Sequence, residues 1–279
     1  MSLSLCICTM NRPADLRRAL QSIRDGHTQP HEVIVSDDGR SADTKALASE
    51  FGAVYVEGPQ LGLSANRNLC LDVATGTHIA FIDDDVTVPA EFIDACHAAA
   101  SENVVTGWEE NYASGEPIRV ESHNSSYLGF QRVPVTGQRV SICINATVFP
   151  ASLFESAKFD EHSRYGYEEI DIARQAVYLG YLIDFDDRLW VRHYPSPLNR
   201  EIYVPVQNAA RLFLTERAYR VYDGRRWWAL LFLIVASAHH LAYAVKARKQ
   251  VRTAMSAVRS AWSWRRSDIA GGRSAPSRG

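Results

Sequence analysis

The alternation of apolar strand-like runs with helix-like runs through the first hundred residues constrains the fold of this chain more than any other feature. Leu3 to Thr9 reads as a strand and Pro13 to Arg24 as a helix. The pair repeats as Glu32 to Ser36 with Thr44 to Phe51, Val54 to Glu57 with Ser64 to Val73, and Ile79 to Ile82 with Ala90 to Ala100. Four βα units in succession predict a mostly parallel central sheet with helices on both faces, whose ligands gather at the carboxyl ends of the strands. The polar motifs fall at those ends. Asn11-Arg12-Pro13 follows the first strand, Asp37-Asp38-Gly39 the second and Asp83-Asp84-Asp85 the fourth, so three loops can converge on one crevice.

The fourth of these strands ends abruptly in three carboxylates, which concentrates negative charge at a sheet edge and calls for a cation. Hard divalent ions such as Mg²⁺ or Mn²⁺ take oxygen ligands from one or two carboxylates, with substrate phosphates and water completing the shell. Asp83 and Asp85 form an Asp-x-Asp pattern; alone, a solvated turn explains it equally well.

Taken together the motifs resemble the family-two glycosyltransferases of GT-A fold, inverting and metal-dependent enzymes that use nucleotide-sugar donors. The resemblance runs from about Ser2 to His193. Cys8-Thr9-Met10-Asn11-Arg12-Pro13 stands where the family has the opening strand and turn bordering the nucleotide. Val33 to Ser41 matches the Val-Asp-Asp-Gly-Ser stretch, with Asp38 as the base contact. Gly62-Leu-Ser-Ala-Asn66-Arg67-Asn68 matches the stretch whose Arg, here Arg67, approaches the nucleotide or diphosphate. Asp83-Asp84-Asp85 matches the Asp-x-Asp motif. The resemblance implies nucleotide-sugar contacts by Cys8, Thr9, Asn11, Arg12, Asp38, Arg67, Asp83 and Asp84. It implies Mn²⁺ or Mg²⁺ held by Asp85, with Asp83 contributing directly or through water, and with His193 of Val191-Arg-His193 completing the site, since imidazole ligates Mn²⁺ beside carboxylates.

A second anchor, Tyr165-Gly-Tyr-Glu168-Glu169-Ile-Asp171-Ile-Ala-Arg174, resembles the family's Gly-Tyr-Glu-Asp-x-Asp segment at a helix start. There a carboxylate deprotonates the acceptor hydroxyl, and position by position the base falls on Glu169, where the family more often has Asp. Glu168 and Asp171 remain rivals. Trp108 and Asn145 are expected on the acceptor side. In the segment around Asn145, Cys143 replaces the usual Gly and the familiar following Arg is missing. The Gln-x-x-Arg-Trp motif of processive synthases is absent, which points to one sugar per encounter. No P-loop or dinucleotide-binding glycine pattern is present.

Charge divides the chain. From Arg225 to Gly279 it carries 11 Lys+Arg against 1 Asp+Glu, whereas the preceding body carries 19 against 31. Such a tail suits an anionic surface. Its Arg225 to Lys249 stretch has a Trp pair at one edge and basic clusters at both, as expected of a helix lying on anionic lipid. Packing on the body, a homodimer contact and a true span are the alternatives. No nucleic-acid-reading motif accompanies the charge. The five cysteines, Cys6, Cys8, Cys70, Cys96 and Cys143, are odd in number and lie mostly in apolar runs, which fits a reducing compartment. The N-terminal residues lack a signal-peptide pattern.

The resulting expectation is an α/β GT-A domain over residues 1–200, with a nucleotide-binding half to residue 100 and an acceptor half beyond it. A basic helical extension follows over 201–263, and a disordered tail over 264–279. The expected activity is inverting transfer of one sugar from a nucleotide-diphosphate sugar to a hydroxyl of a lipid-linked or cell-surface glycan precursor. The expected location is the cytoplasmic face of the plasma membrane. A transferase acting on a small metabolite and a non-catalytic nucleotide-sugar binder are the alternatives.

Overall fold

The structure is a computed structural model that describes residues 1–195, 200–248 and 251–271. β1 (Leu3–Thr9), α1 (Pro13–Arg24), β2 (Glu32–Asp37), α2 (Ala42–Glu50), β3 (Val54–Glu57), α3 (Leu63–Val73) and β4 (His78–Asp83) form the expected repeating units. They build a parallel block in the order β3-β2-β1-β4. Every residue of β1 is buried, and its register pairs Cys8 with Ser36 on one side and Asp83 on the other. The carboxyl ends of three strands are thereby level.

Beyond β4 short antiparallel pairings are added to the parallel block. β5 (Val86–Thr87), α4 (Phe92–Ala99), β6 (Val104–Asn111) and β7 (Ile118–Glu121) come next, then β8 (Asn124–Ser125), β9 (Gln131–Val133) and β10 (Thr147–Pro150). β10 runs antiparallel to both β4 and β6, and β6 is parallel to β11 (Ile183–His193). β5 and β7 close the antiparallel side. The two ends of the 104–147 segment, β6 and β10, are interior strands, and the β8–β9 hairpin stands off as a separate ribbon. β11 is one continuous strand with a register shift between Phe185 and Trp190 in its pairing with β6.

Two apolar layers sandwich the sheet. One holds Leu5, Ile7, Leu16, Leu20, Ile82 and Phe92; the other holds Cys6, Cys8, Cys70, Phe81, Phe149 and Ile172. Cys6 and Cys8 both belong to the second layer.

α5 (Glu168–Tyr178) leads into β11, and the helical extension follows as α6 (Arg200–Arg217), a π-turn over Ala218–Tyr222, α7 (Arg226–Lys246) and α8 (Val251–Ala270). The helical extension expected over 201–263 thus contains three helices among the described residues. α8 continues to Ala270, past the expected disorder boundary at 264; residues 272–279 lie outside the described residues. The extension has its own core of Leu212, Phe213, Phe232, Leu233, Ala236 and Ala261. Arg217 fastens it to the body through ion pairs with Asp160 and Asp171.

Only one face of α7 is used in this packing. Ala229, Phe232, Leu233, Ala236 and Ser237 are buried, while Trp227, Trp228, Leu231, Ile234 and Val235 are exposed, Trp227 at 85%. The helix is long and apolar enough to cross a membrane by length and composition.

Candidate active site

The parallel register that pairs Cys8 with Asp83 sets Thr9 alongside Asp84, and the Thr9 hydroxyl donates to Asp84 Oδ2 at 2.7 Å. Arg12, at the turn into α1, donates from Nη1 to Asp84 Oδ1 at 2.8 Å and to Asp85 Oδ2 at 3.2 Å. Burial pushes the Asp84 carboxyl up to about 7, against the pull of Arg12 and Thr9. Asp85 is also penalised by burial, yet His193 and Arg12 hold it below its ordinary value.

His193, the last residue of β11, faces Asp85 with Nε2 at 3.4 Å from Oδ1. Its Nδ1 lies 3.1 Å from both carboxylate oxygens of Glu109. Burial works against a charged imidazole here, but Asp85 and Glu109 outweigh it and raise His193 to about 10. A ring nitrogen held by a carboxylate, with the opposite nitrogen facing another ligand-type group, is the arrangement that orients a metal-binding imidazole.

Glu109 was not among the residues expected from sequence. It lies in Trp108-Glu109-Glu110-Asn111 on β6, 84 residues from His193, and nothing local signals the pairing of β6 with β11. That pairing also settles Trp108. Successive side chains alternate across a sheet, so Trp108 points away from Glu109. Its ring stacks on Trp190 at 5.3 Å and lies under the Arg119 guanidinium, and its Nε1 donates to the Asp187 carbonyl. Trp108 therefore packs on the opposite face from His193, which corrects its expected acceptor-side role.

Arg67 ties the two acidic motifs together. It is 1% exposed; Nη2 donates to Asp83 Oδ1 and Nη1 to Glu168 Oε1, each at 2.9 Å. Opposed by burial, Asp83 and Glu168 still hold its guanidinium above the ordinary range. Instead of presenting an open cation to a diphosphate, Arg67 braces carboxylates from α3. Gly62 permits this: it adopts φ +102°, and a Cβ there would lie 2.8 Å from the Arg164 carbonyl oxygen. The close approach lets Leu63 donate to Arg164 and Ser64 to Ser163, seating the start of α3 against the loop that leads to Glu168.

Asn145 sits beside Asp83, accepting from its backbone N–H at 2.8 Å and donating to Oδ2 at 3.4 Å. It thus belongs to the acidic cluster. Asp38 is 7% exposed and accepts from the backbone N–H groups of Gln60 and Gly62, so its carboxylate organises the loop before α3. The Cys8 thiol is buried against Cys70 in the core, which removes it as a nucleotide contact. Asn11 lies over Gly39, where a Cβ would meet its side-chain oxygen at 2.4 Å, bringing the first two loops into contact.

Of the three base candidates, Asp171 is taken up structurally: it accepts from Tyr222 at 3.0 Å and Gln175 at 2.8 Å, with Arg217 at 3.8 Å. Glu168 is buried and committed to Arg67, with Oε2 unpartnered. Glu169 is half-buried; its carboxylate is held by a backbone N–H and feels the charge of Arg67, and no salt bridge ties it to another side chain among the described residues. Burial, and secondarily Glu168, raise its pKa above the ordinary range.

Carboxylates outnumber cations in this network, with Asp83, Asp84, Asp85, Glu109, Glu168 and Glu169 set against Arg12, Arg67 and His193. That surplus suits an added cation. Once an incoming cation displaces the imidazolium proton, Asp85 Oδ1 and His193 Nε2, 3.4 Å apart, would form a mixed oxygen and nitrogen donor pair compatible with Mn²⁺ or Mg²⁺. Among the described residues no group of three or more His, Cys, Asp or Glu side chains is poised to hold a metal. An ion here would thus depend on phosphate and water for the rest of its shell.

The model of the family described as glycosyl transferase family 2 matches residues 4–149. The chain is 25% identical over 235 residues to the succinoglycan biosynthesis protein ExoM of Rhizobium meliloti, covering 79% of this chain and 72% of that protein. It is 27% identical over 252 residues to the GalNAc(5)-diNAcBac-PP-undecaprenol beta-1,3-glucosyltransferase of Campylobacter jejuni, covering 80% and 71%. Among solved structures it superposes on GalNAc-T7 with UDP, GalNAc and Mn²⁺ at a TM-score of 0.64 and 15% identity, covering 81% of this chain and 50% of that one. It also superposes on the mannosyltransferase PcManGT of Pyrobaculum calidifontis in complex with GDP-Man and Mn²⁺, at 0.56 and 13%, covering 97% and 88%. The GT-A fold is thereby shown.

Proposed function

The chain belongs to glycosyl transferase family 2, and on that premise we propose that it transfers a single sugar, with inversion, from a nucleotide-diphosphate donor to a hydroxyl of a lipid-linked or surface glycan precursor. The observation that carries this reading is the Arg67 bridge, which sets the start of α5, with Glu168 and Glu169, beside the acidic end of β4. The names of the two relatives, one from succinoglycan biosynthesis and one acting on an undecaprenol-linked glycan, support the acceptor class.

In this reading the acceptor hydroxyl attacks the anomeric carbon. The new carbon–oxygen bond forms as the bond to the nucleoside diphosphate breaks, and the hydroxyl proton passes to Glu169. A carboxylate raised toward neutrality by burial and not locked in a salt bridge is suited to exchange that proton. Glu168 is positioned by Arg67 and keeps the helix start in place. Asp85 and His193 would hold the divalent ion, with Glu109 fixing the imidazole. When bound, the ion supplies positive charge against the departing diphosphate.

The exposed apolar face of α7, flanked by Arg225, Arg226, Lys246 and Arg248, supports peripheral attachment to an anionic bilayer with the helix lying in the interface. The other face of α7 is occupied by α6 and α8, which favours lying on the membrane over crossing it. We place the protein at the cytoplasmic face of the plasma membrane.

A calorimetric screen of UDP, GDP, dTDP and CMP with Mn²⁺, Mg²⁺ or EDTA tests the transferase reading. Binding of one nucleotide that is lost with EDTA is expected. No binding of any nucleotide under any condition would overturn it.

A further inference from the structure

Arg211 on α6 is among the largest fully buried side chains of the molecule, at 1% exposure. Its Nη1 donates to the Leu128 carbonyl, while Nε and Nη2 have no partner. A buried guanidinium with two orphaned donors and no carboxylate is a costly arrangement, because a buried cation is normally paired. It does not stand alone. Arg211 lies 4.3 Å from the centre of the Phe130 ring, and Arg132 lies over the same ring at 5.0 Å. His239 of α7 contacts that ring as well, and Arg132 makes no ion pair among the described residues. A group of cationic and basic side chains without an acid partner has thus been gathered under one aromatic residue.

The location gives this group a purpose. The Tyr167 hydroxyl, in the residue that caps α5, is within electrostatic reach of Arg211, Arg132 and Glu169. A cavity of about 70 Å³ opens on the other side of Tyr167, lined by Ser125, Ser126, Asp171, Arg174 and Thr215 and by neither Arg211 nor Arg132. Tyr127 packs against Trp228 and Phe232 of α7, the helix whose outer face is apolar and exposed. The basic group therefore lies between the base candidate and the surface assigned to the bilayer.

We infer that Arg211 and Arg132 form a binding site for the phosphate or diphosphate group of a lipid-linked acceptor, holding it so that its lipid follows α7 and its sugar reaches Glu169. Arginine offers planar paired donors that match phosphate oxygens, and the two orphaned N–H groups of Arg211 would then be satisfied. The acceptor identity rests on the transferase reading above; the anion site rests on the arginines themselves.

Binding of farnesyl diphosphate to the full-length protein in detergent, compared with farnesol, inorganic pyrophosphate and UDP, tests this for the native chain, R132Q and R211Q. Farnesyl diphosphate should bind at least about tenfold more tightly than farnesol or pyrophosphate, and R132Q should weaken it about tenfold while leaving UDP affinity unchanged. Arg132 is exposed, so R132Q remains decisive if R211Q does not fold. Native affinity in R132Q, or equal binding of farnesol, would overturn the site. Equal binding of pyrophosphate would reduce it to a free-phosphate site and overturn the acceptor assignment. A failure of the transferase reading is seen separately, as absence of nucleotide binding in the native protein.

Discussion

Arg67 and Glu168 are separated by 101 residues, yet Nη1 of the first lies 2.9 Å from Oε1 of the second in a region where both are nearly inaccessible to water. Because Arg67 also holds Asp83, removing its charge strands two carboxylates at once. Arg67→Met is expected to lower stability by about 3–5 kcal/mol, the range for breaking a buried ion pair by deleting one partner. Chemical denaturation measures this directly. A loss below about 1 kcal/mol would show that the bridge does not brace the site.

The proton acceptor is tested by Glu169→Gln, which keeps the shape of the side chain but not its basicity. Transfer should fall by about 10²–10⁴-fold, with nucleotide affinity retained. Glu168→Gln should instead disturb stability through Arg67. If Glu169→Gln transfers sugar at the native rate, the base lies elsewhere.

Glu109 holds the imidazole of His193 from behind. Replacing such a partner costs about 10–100-fold in metal affinity in other sites. Glu109→Gln should weaken Mn²⁺ binding, followed by electron paramagnetic resonance without any substrate, by that factor. Unchanged Mn²⁺ affinity would detach Glu109 from the metal site.

Asp160 joins the body to the helical extension through Arg217 and is also hydrogen-bonded by His162. Burial alone would raise its pKa, but His162 and Arg217 hold it down at about 2, against an ordinary value of 3.8. A depressed carboxylate contributes stability that is complete above its unfolded pKa and is lost as pH falls through the folded one. The contribution, about 2 kcal/mol at neutral pH, should disappear between pH 5 and pH 2. The stability difference between the native chain and Asp160→Asn should shrink over that window; a difference independent of pH would contradict the assignment.

The outer face of α7 makes the membrane proposal measurable. Each exposed apolar side chain that enters the interface is worth on the order of 1 kcal/mol or more. The triple change of Trp227, Leu231 and Ile234 to Glu should abolish co-flotation with phosphatidylglycerol vesicles while leaving nucleotide binding intact. Flotation equal to that of the native chain would refute the attachment.

What the sequence determined by itself was local. Strand and helix periodicities placed β1, α1 and β3 with their observed boundaries, and the polar motifs at the ends of β1, β2 and β4 marked where a site would assemble. Asp83, Asp85 and Glu169 stand out in sequence as candidates because each lies in a short motif of neighbouring polar residues. Tertiary structure decided what depends on pairings across long separations. It put β10 and β6 into the sheet as antiparallel and interior strands, set Glu109 behind His193 through the β6–β11 register, and turned Trp108 to the opposite face. It converted Arg67 from an expected phosphate contact into a buried brace, and it left Arg211 without an acid. A carboxylate or guanidinium looks the same in sequence whether it faces water, a ligand or another side chain; burial and the partner that folding brings to it decide its charge state and its role.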